Sequence, residues 1–263
     1  MLLVRYTGYD QFINSDNFIL VMIKQGSDQS IQINKYISNS GFCSRREAYK
    51  LVNDARVTIN DELALATSRV YTGDVVAIDG EKIKSKQSPV YIALNKPIGV
   101  TSTTDMSDKS NIIRFMNHPK RIFSVGRLDK DSEGLILLTN DGDIVNKILR
   151  SSNNNEKEYI VTVDKELTPK MIRQMGKGVR ILGEVTKTCF IRMEGQRRFR
   201  IILKQGLNRQ IRRMCETFGY KVKTLKRIRI MHIQLSNLAV GKWRYLTPAE
   251  MHQLEKALEN AYG

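Results

Sequence analysis

Cysteine is scarce in this chain: of 263 residues three are thiols, Cys43, Cys189 and Cys215, far apart and with no CxxC pair. No even set exists for a disulfide framework, and a reducing, cytoplasmic setting is expected. Histidine is as sparse. His118, His232 and His252 form no HxxxH pattern, and the cysteines offer no ligand spacing, so no zinc or iron centre is expected. Neither GxxxxGK[ST] nor GxGxxG occurs, so no nucleotide cofactor is implied. Long apolar runs are missing too. The longest, from Phe18 to Ile23, has six residues and follows polar Asn14, Asp16 and Asn17. A bilayer span needs ~20, so neither a membrane segment nor a secretory leader is expected.

Acids are the last shortage: 27 Asp and Glu face 43 Lys and Arg, for a formal net charge of +16. A hydrophobic fraction of 41% still provides for a core, so this is not a disordered polyelectrolyte. The charge is concentrated. Between Arg192 and Arg229 thirteen Lys and Arg stand against Glu194 and Glu216, interleaved with Phe199, Ile201, Leu203, Ile211, Met214 and Phe218. That alternation describes a folded basic face rather than a tail, and its expected partner is a polyanion.

Residues 1–30 show no periodicity and end in a Gly/Ser/Asp/Gln cluster, so a poorly ordered extension is expected, with Met22 as an alternative start. A small unit follows over residues 31–80. Ile33, Tyr36 and Ile37 predict a short helix closed by Gly41, and Ser44 with Glu47 predicts a capping box for a second. Short strands are expected at Arg56–Asn60 and Asp74–Ile78, then a polar linker over residues 81–89. The remainder, 90–263, reads as strands at Val90–Leu94, Arg121–Val125, Leu135–Thr139, Glu158–Asp164, Val185–Ile191 and Phe199–Lys204. Helices are expected near Asp143–Arg150, Thr168–Met175 and Asn208–Phe218, and a last one from Thr247-Pro248, capped by Glu250. Strands outnumber helices without alternating with them. The expected fold is α+β, a mixed and mainly antiparallel sheet with flanking helices.

Two places carry unusual chemistry. Arg45 and Arg46 open the second helix, where cations face the positive end of the dipole at a cost of up to ~1 kcal/mol each. Either a phosphate shares that helix end or both side chains extend into water. The other is Gly126-Arg127-Leu128-Asp129-Lys130-Asp131-Ser132-Glu133-Gly134, lying between two apolar strands. Composition reads it as a solvated turn. Arg127 and Lys130 beside Asp129, and the bracketing strands, also permit a rigidly held, ionised carboxylate.

The segment NKYISNSGFCSRREAYKLVNDARVTIN, from Asn34 to Asn60, resembles the small α/β RNA-binding module named after small-subunit ribosomal protein S-four. That resemblance implies that Arg45 and Arg46 lie along an RNA backbone. GRLDKDSEGLILLTNDGD, from Gly126, resembles the signature of the RsuA-like group of ribosomal RNA pseudouridine synthases. Three further segments match that family's motifs in order: ALNKPIGVTST from Ala93, KEYIVTVD from Lys157 and ILKQGLNRQIRRMCETFGY from Ile202. The implied reaction is isomerisation of uridine to pseudouridine in RNA, with no cofactor. The implied substrate is large-subunit rRNA, with a tRNA anticodon arm as a second, and a monomer without membrane contact is expected.

By the same resemblance Asp129 is the essential carboxylate, as nucleophile or as base, and Tyr159 stacks on a flipped uracil. Leu203 packs beneath the base, Arg212 is the basic partner of Asp129, and Arg127 fills the space the uridine leaves. Arg209 and Arg213 contact RNA, and Lys96 braces the tyrosine's strand. The residues alone allow blander readings. Tyr159 alternates with Val161 and Val163 and suits a core, as does Leu203, while Arg212 would be one more phosphate contact beside Arg209 and Arg213. Residues 1–30 have no counterpart in the family, and the long Lys-rich tail of some members is missing. The competing reading is a non-catalytic RNA-binding or ribosome-assembly protein, for which an acid facing RNA phosphates has no use.

Overall fold

The computed structural model describes residues 30–83, 87–149 and 155–259, together with the backbone of three short strands, Leu3–Tyr6, Tyr9–Phe12 and Ile23–Lys24. The rest of the extension expected over residues 1–30 lies outside the described residues. The chain divides into two compact units, Met1–Gln87 and Ser88–Gly263.

In the first unit the helices Ile33–Asn39 and Arg45–Asn53 bury Ile33, Ile37, Ala48 and Val52 against Val57, Val70, Val76 and Ile78. The capping box is present: Ser44 Oγ accepts the Glu47 N–H at 3.2 Å, and Glu47 Oε2 accepts the Ser44 N–H at 2.7 Å. A four-stranded antiparallel ribbon runs in the order Glu62–Leu63, Val57–Ile59, Val76–Ile78, Glu81–Lys82. Its last strand falls where the sequence reads as linker, because Glu81 and Lys82 satisfy backbone groups of Ile78 and Ala77 while exposing their own side chains.

The second unit is built on a nine-stranded sheet. Its main path runs Phe190–Gly195, Arg198–Leu203, Lys157–Val163, Val222–Ile230, Glu133–Thr139, Tyr91–Lys96, Trp243–Tyr245. Phe123–Val125 pairs with Glu133–Thr139, and Ile233–Gln234 with Val222–Ile230. Its strand pairings are antiparallel except one: Glu133 and Gly134 lie parallel to Lys226 and Arg227. That two-residue contact joins the two halves of the sheet.

In one half both faces are covered, which is why Leu135–Leu138 and Ile92–Leu94 are apolar without alternation. Ile92, Leu94, Ile136 and Leu138 enter a core shared with the helices Ile112–Met116, Pro169–Gly176 and Gln210–Thr217. Ala93, Leu135 and Leu137 enter a second core with the helices Gly142–Leu149 and Pro248–Glu259. The other half buries one face only, through Phe199, Ile201, Leu203, Tyr159, Val161 and Val163. On its back Glu158 is buried between Arg200 and Arg229, with Arg229 Nε at 2.5 Å. Glu194 lies 2.5 Å from Arg200, and Glu156 lies 3.1 Å from Arg229. Burial pushes the Glu158 carboxyl up, but the two guanidiniums outweigh it and hold the group below the usual range. The basic segment is therefore not one anion-facing surface.

Val185–Ile191 is not the single strand its sequence suggests. Glu184–Val185 folds back on Arg180–Ile181 over Leu182 and Gly183, whose φ values of 51° and 85° suit a two-residue hairpin turn. Thr186 Oγ1 then accepts the Val179 N–H at 3.0 Å, and the edge strand starts only at Phe190. The helix expected from Asn208 begins at Gln210, because Arg209 has a left-handed φ of 48°.

A Cβ on Gly134, where φ is +108°, would stand 2.2 Å from the Arg227 carbonyl oxygen and 2.7 Å from its nitrogen. Gly134→Ala should therefore destabilise the second unit by ~3 kcal/mol or more, read as a fall in the urea midpoint. Gly183→Ala, at φ +85° with open space around the new Cβ, should cost only ~1–2 kcal/mol.

The C-terminal helix opens on a second capping box, Thr247 with Glu250, and Arg244 grips both Glu250 oxygens at 2.7 and 2.8 Å. The Arg244 contact, aided by the Thr247 N–H, holds Glu250 at about 2 against an ordinary 4.5. The stability this contributes is complete above the ordinary value and is lost as pH falls through the folded value. Thermal melts of Glu250→Gln should thus show a shallower loss of stability between pH 4.5 and about 2 than the parent.

Candidate active site

Residues 126–132 connect Phe123–Val125 to Glu133–Thr139 beside the junction of the two half-sheets. Nearly every step of this loop is pinned. Ser102 Oγ accepts the Leu128 N–H at 3.2 Å and donates to the Leu128 carbonyl at 2.8 Å. The Lys130 carbonyl accepts the Gly99 N–H at 2.8 Å, and the Asp129 carbonyl accepts the Ser132 N–H at 3.0 Å. Arg212 Nη2 donates to the Asp131 carbonyl at 2.9 Å and to Ser132 Oγ at 3.0 Å. Leu128 is buried in the first core, while Asp129 keeps 37% of its side chain exposed. A solvated turn has no such set of anchors.

Asp129 lines a cavity of about 890 Å³, together with Arg127, Tyr159, Leu203, Arg209 and Arg212. Pockets of ~300–1,000 Å³ are those that hold small-molecule-sized groups. Tyr159 and Leu203 reach it from neighbouring strands, on the face that alternation assigns them, and both are also part of the first core. For these two residues the packing role and the cavity role coincide.

Arg227, to which the sequence assigns no role, is a further wall of this cavity. Its guanidinium carbon lies 6.0 Å from the centre of the Tyr159 ring, and its Nε donates to the Leu135 carbonyl at 2.6 Å. The residue is 3% exposed, and its Nη2 is buried with no hydrogen-bond partner. A β-bulge places it there. Glu158 faces Arg229, but the next residue, Tyr159, faces Arg227, so Ile228 is an extra residue in its strand. Strict alternation would put Arg227 and Arg229 on one face. The bulge sends Arg229 back to Glu158 and brings Arg227 forward to Tyr159.

Four of the residues singled out in the sequence make contacts the sequence did not show. Arg212 does not pair with Asp129: its Nη2 lies 3.2 Å from Asp131 Oδ2, and it is buried under the loop backbone. The cation beside Asp129 is Arg209, with Nη1 3.6 Å from Oδ2, and Arg209 also donates to both Asp131 oxygens at 3.3 and 3.2 Å. The left-handed turn at Arg209 lifts that side chain to the carboxylates, whereas Arg212, a turn further on, points beneath them. Burial pushes the Asp131 carboxyl up, yet Arg209 and Arg212 hold it below the usual range. Lys96 braces its own loop rather than the tyrosine's strand, donating to the Pro97 and Val100 carbonyls at 2.9 and 2.8 Å. Burial, with help from the Arg227 charge, lowers it to about 8. Arg213 turns back to the Asn208 carbonyl at 3.1 Å and is not part of the cavity wall. In the first unit Arg45 and Arg46 are exposed in the first helical turn, as the sequence predicts.

Residues 90–217 match the family model described as RNA pseudouridylate synthase, and residues 33–76 match the S4 domain. The chain is 55% identical over 236 residues to the dual-specificity RNA pseudouridine synthase RluF of Escherichia coli O6:H1, covering 89% of this chain and 81% of that protein. The chain belongs to the RNA pseudouridine synthase family. It is also 34% identical over 233 residues to the ribosomal large subunit pseudouridine synthase B of Bacillus subtilis (strain 168), covering 85% of this chain and 95% of that one. A crystal structure of a pseudouridylate synthase matches at TM-score 0.64 and 28% identity, over 86% of this chain and 100% of the other.

Leu203 and the Tyr159 ring give this cavity an apolar stretch of wall. Among the described residues no group of three or more His, Cys, Asp or Glu is placed to hold a metal ion. Burial pushes the Cys189 and Cys215 thiols up to about 11 and 12, so neither is a thiolate at neutral pH. No helix among the described residues is long and apolar enough to cross a membrane.

Arg212→Ala would leave the Asp131 carbonyl and Ser132 Oγ without their donor. The rate at saturating RNA should fall ~10²-fold or more, because the loop carrying Asp129 loses its position. Arg212→Lys keeps the charge but not the fork, so it should recover little. Single-turnover rates of both variants check this.

Proposed function

We propose that this cavity converts uridine to pseudouridine with Asp129 as the essential carboxylate. The observation that carries the reading is the convergence of Asp129, Tyr159, Leu203 and Arg209 on one cavity, from a loop, two strands and a helix cap. The reaction breaks the bond from uracil N1 to the ribose C1′, turns the base, joins C5 to C1′ and moves the C5 proton to N1. Asp129 acts at the ribose–base junction, as nucleophile or as base. Tyr159 stacks on the extruded uracil with Leu203 below it, and Arg127, exposed at the rim, fills the space the nucleotide leaves in the RNA.

Arg209 has two duties, as the cation beside Asp129 and as an RNA contact, while Arg212 positions the catalytic loop. Arg45 and Arg46, on the S4 domain, dock the RNA backbone. The resemblance to a dual-specificity RNA pseudouridine synthase accords with two RNA substrates; we read these as large-subunit 23S rRNA and tRNA, and the enzyme as a cytoplasmic monomer.

Asp129→Asn preserves shape and removes the charge. Turnover should fall ~10³-fold or more, about 4 kcal/mol of barrier, while RNA binding persists. Pseudouridine mapping of rRNA and tRNA, from cells carrying the parent or the Asn variant, reads both the loss and the modified sites. Substantial pseudouridine made by the variant would sink the assignment.

A further inference from the structure

The edge strand Trp243–Tyr245 carries an aromatic cluster that neither the core nor the cavity uses. Trp243 and Tyr245 lie with ring centroids 5.4 Å apart and planes at 81°, and His118 stands edge-on to both, at 5.8 and 6.3 Å. His118 Nδ1 lies 3.1 Å from the Lys120 nitrogen and 3.2 Å from its carbonyl oxygen, and Nε2 shares a hydrogen bond with Tyr245 Oη at 3.2 Å. Phe115 adjoins the turn before the strand, its ring 3.6 Å from where a Cβ on Gly241 would stand. Edge-to-face packing leaves ring faces open. Trp243 is 38% exposed, Phe115 40% and Tyr245 52%.

The two chain segments that carry these rings are basic. The segments 112–121 and 239–246 that meet here hold Arg114, Lys120, Arg121, Lys242 and Arg244, and no Asp or Glu. Arg244 is engaged by Glu250; among the described residues the other four are in no ion pair. Rings with open faces among unopposed cations suit one chemistry, unpaired nucleotides, whose bases stack and whose phosphates are anionic.

The register of the sheet ties this cluster to the cavity. Tyr159 is opposite Arg227, Arg227 opposite Gly134, Gly134 opposite Lys96, and Leu94, two residues along, opposite Trp243. Paired residues share a face, so Trp243 and Tyr159 stand on the same side of the sheet. Four inter-strand steps and two residues amount to about 20 Å. That is roughly six nucleotides of stacked strand, and fewer of an extended one.

We propose that Trp243, Tyr245, His118 and Phe115 form a stacking platform for unpaired nucleotides of the substrate RNA, a few positions from the target uridine. This rests on RNA being the substrate, and it adds a second recognition point outside the catalytic cavity.

Trp243 is the chain's single tryptophan, so its fluorescence reads the platform directly. The full chain is titrated with an RNA carrying about eight unpaired nucleotides on each side of the target uridine, and with the same RNA trimmed to about two, since the span is roughly six. The long RNA should quench the emission and the trimmed one should not. The double variant Trp243→Thr with Tyr245→Thr should raise KM for the long RNA about tenfold. Its kcat, and its KM for the trimmed RNA, should match the parent.

Unchanged emission while the long RNA is bound and modified would overturn the proposal, as would equal KM values for parent and variant. Concentration-dependent dimerisation by sedimentation, abolished in the double variant, would reassign the cluster to a protein contact. A double variant that does not fold leaves the parent's quenching to decide. Absence of pseudouridine from both RNAs would count against the catalytic reading instead, because quenching does not depend on turnover.

Discussion

Two residues of parallel backbone pairing, Glu133 with Lys226 and Gly134 with Arg227, hold the second unit's sheet together across its middle. On one side lie the strands that carry Tyr159 and Leu203; on the other lies the strand that continues from the Asp129 loop. The cavity exists at this seam because residues from both halves converge there. So close an approach is possible only because residue 134 has no side chain, its ideal Cβ position lying inside the Arg227 peptide group. A glycine that in sequence merely ends an acidic turn is thus the hinge-pin of the site.

Positive charge is the second organising quantity, and it is put to three different uses. On the back of the sheet Arg200 and Arg229 neutralise Glu158, so that the strand bearing Tyr159 is anchored from behind by a buried ion network. Such pairs stabilise little relative to an apolar core but cost several kcal/mol when one partner is removed, which makes them effective at fixing position. At the seam Arg212, Arg227 and Lys96 are buried and direct their donors to backbone carbonyls of the loop and of adjoining segments. Only the remaining cations are available to an anionic partner. A net charge of +16 therefore overstates the RNA-facing field, since part of it is architecture.

The loop that carries Asp129 shows how the two quantities combine. Leu128 is drawn into the core, Arg212 and Ser102 fix the backbone on either side, and Asp129 is left at the cavity with its direction decided. Rigidity of this kind is what the role proposed for Asp129 requires. The second carboxylate, Asp131, holds Arg209 and Arg212 together beside it.

By itself the sequence determined whatever depends on near neighbours. Helix starts at Ser44 and Thr247 were legible because a capping box closes within four residues. For the Asp129 loop composition read only a solvated turn between apolar strands, and alternation assigned Tyr159 and Leu203 to a core; the roles expected of all three came from the resemblance of their motifs to the pseudouridine synthases. Tertiary structure alone decided which arginine meets which carboxylate. A left-handed φ at Arg209 and an extra residue at Ile228 each reverse where a side chain points, and neither leaves a mark in composition or period. Arg227 was invisible because no strand was expected over Val222–Ile230, and even a regular strand there would place it with Arg229 on the back of the sheet. Local propensity is a sum over a few residues, whereas a bulge is the answer to how two strands must twist to meet a third.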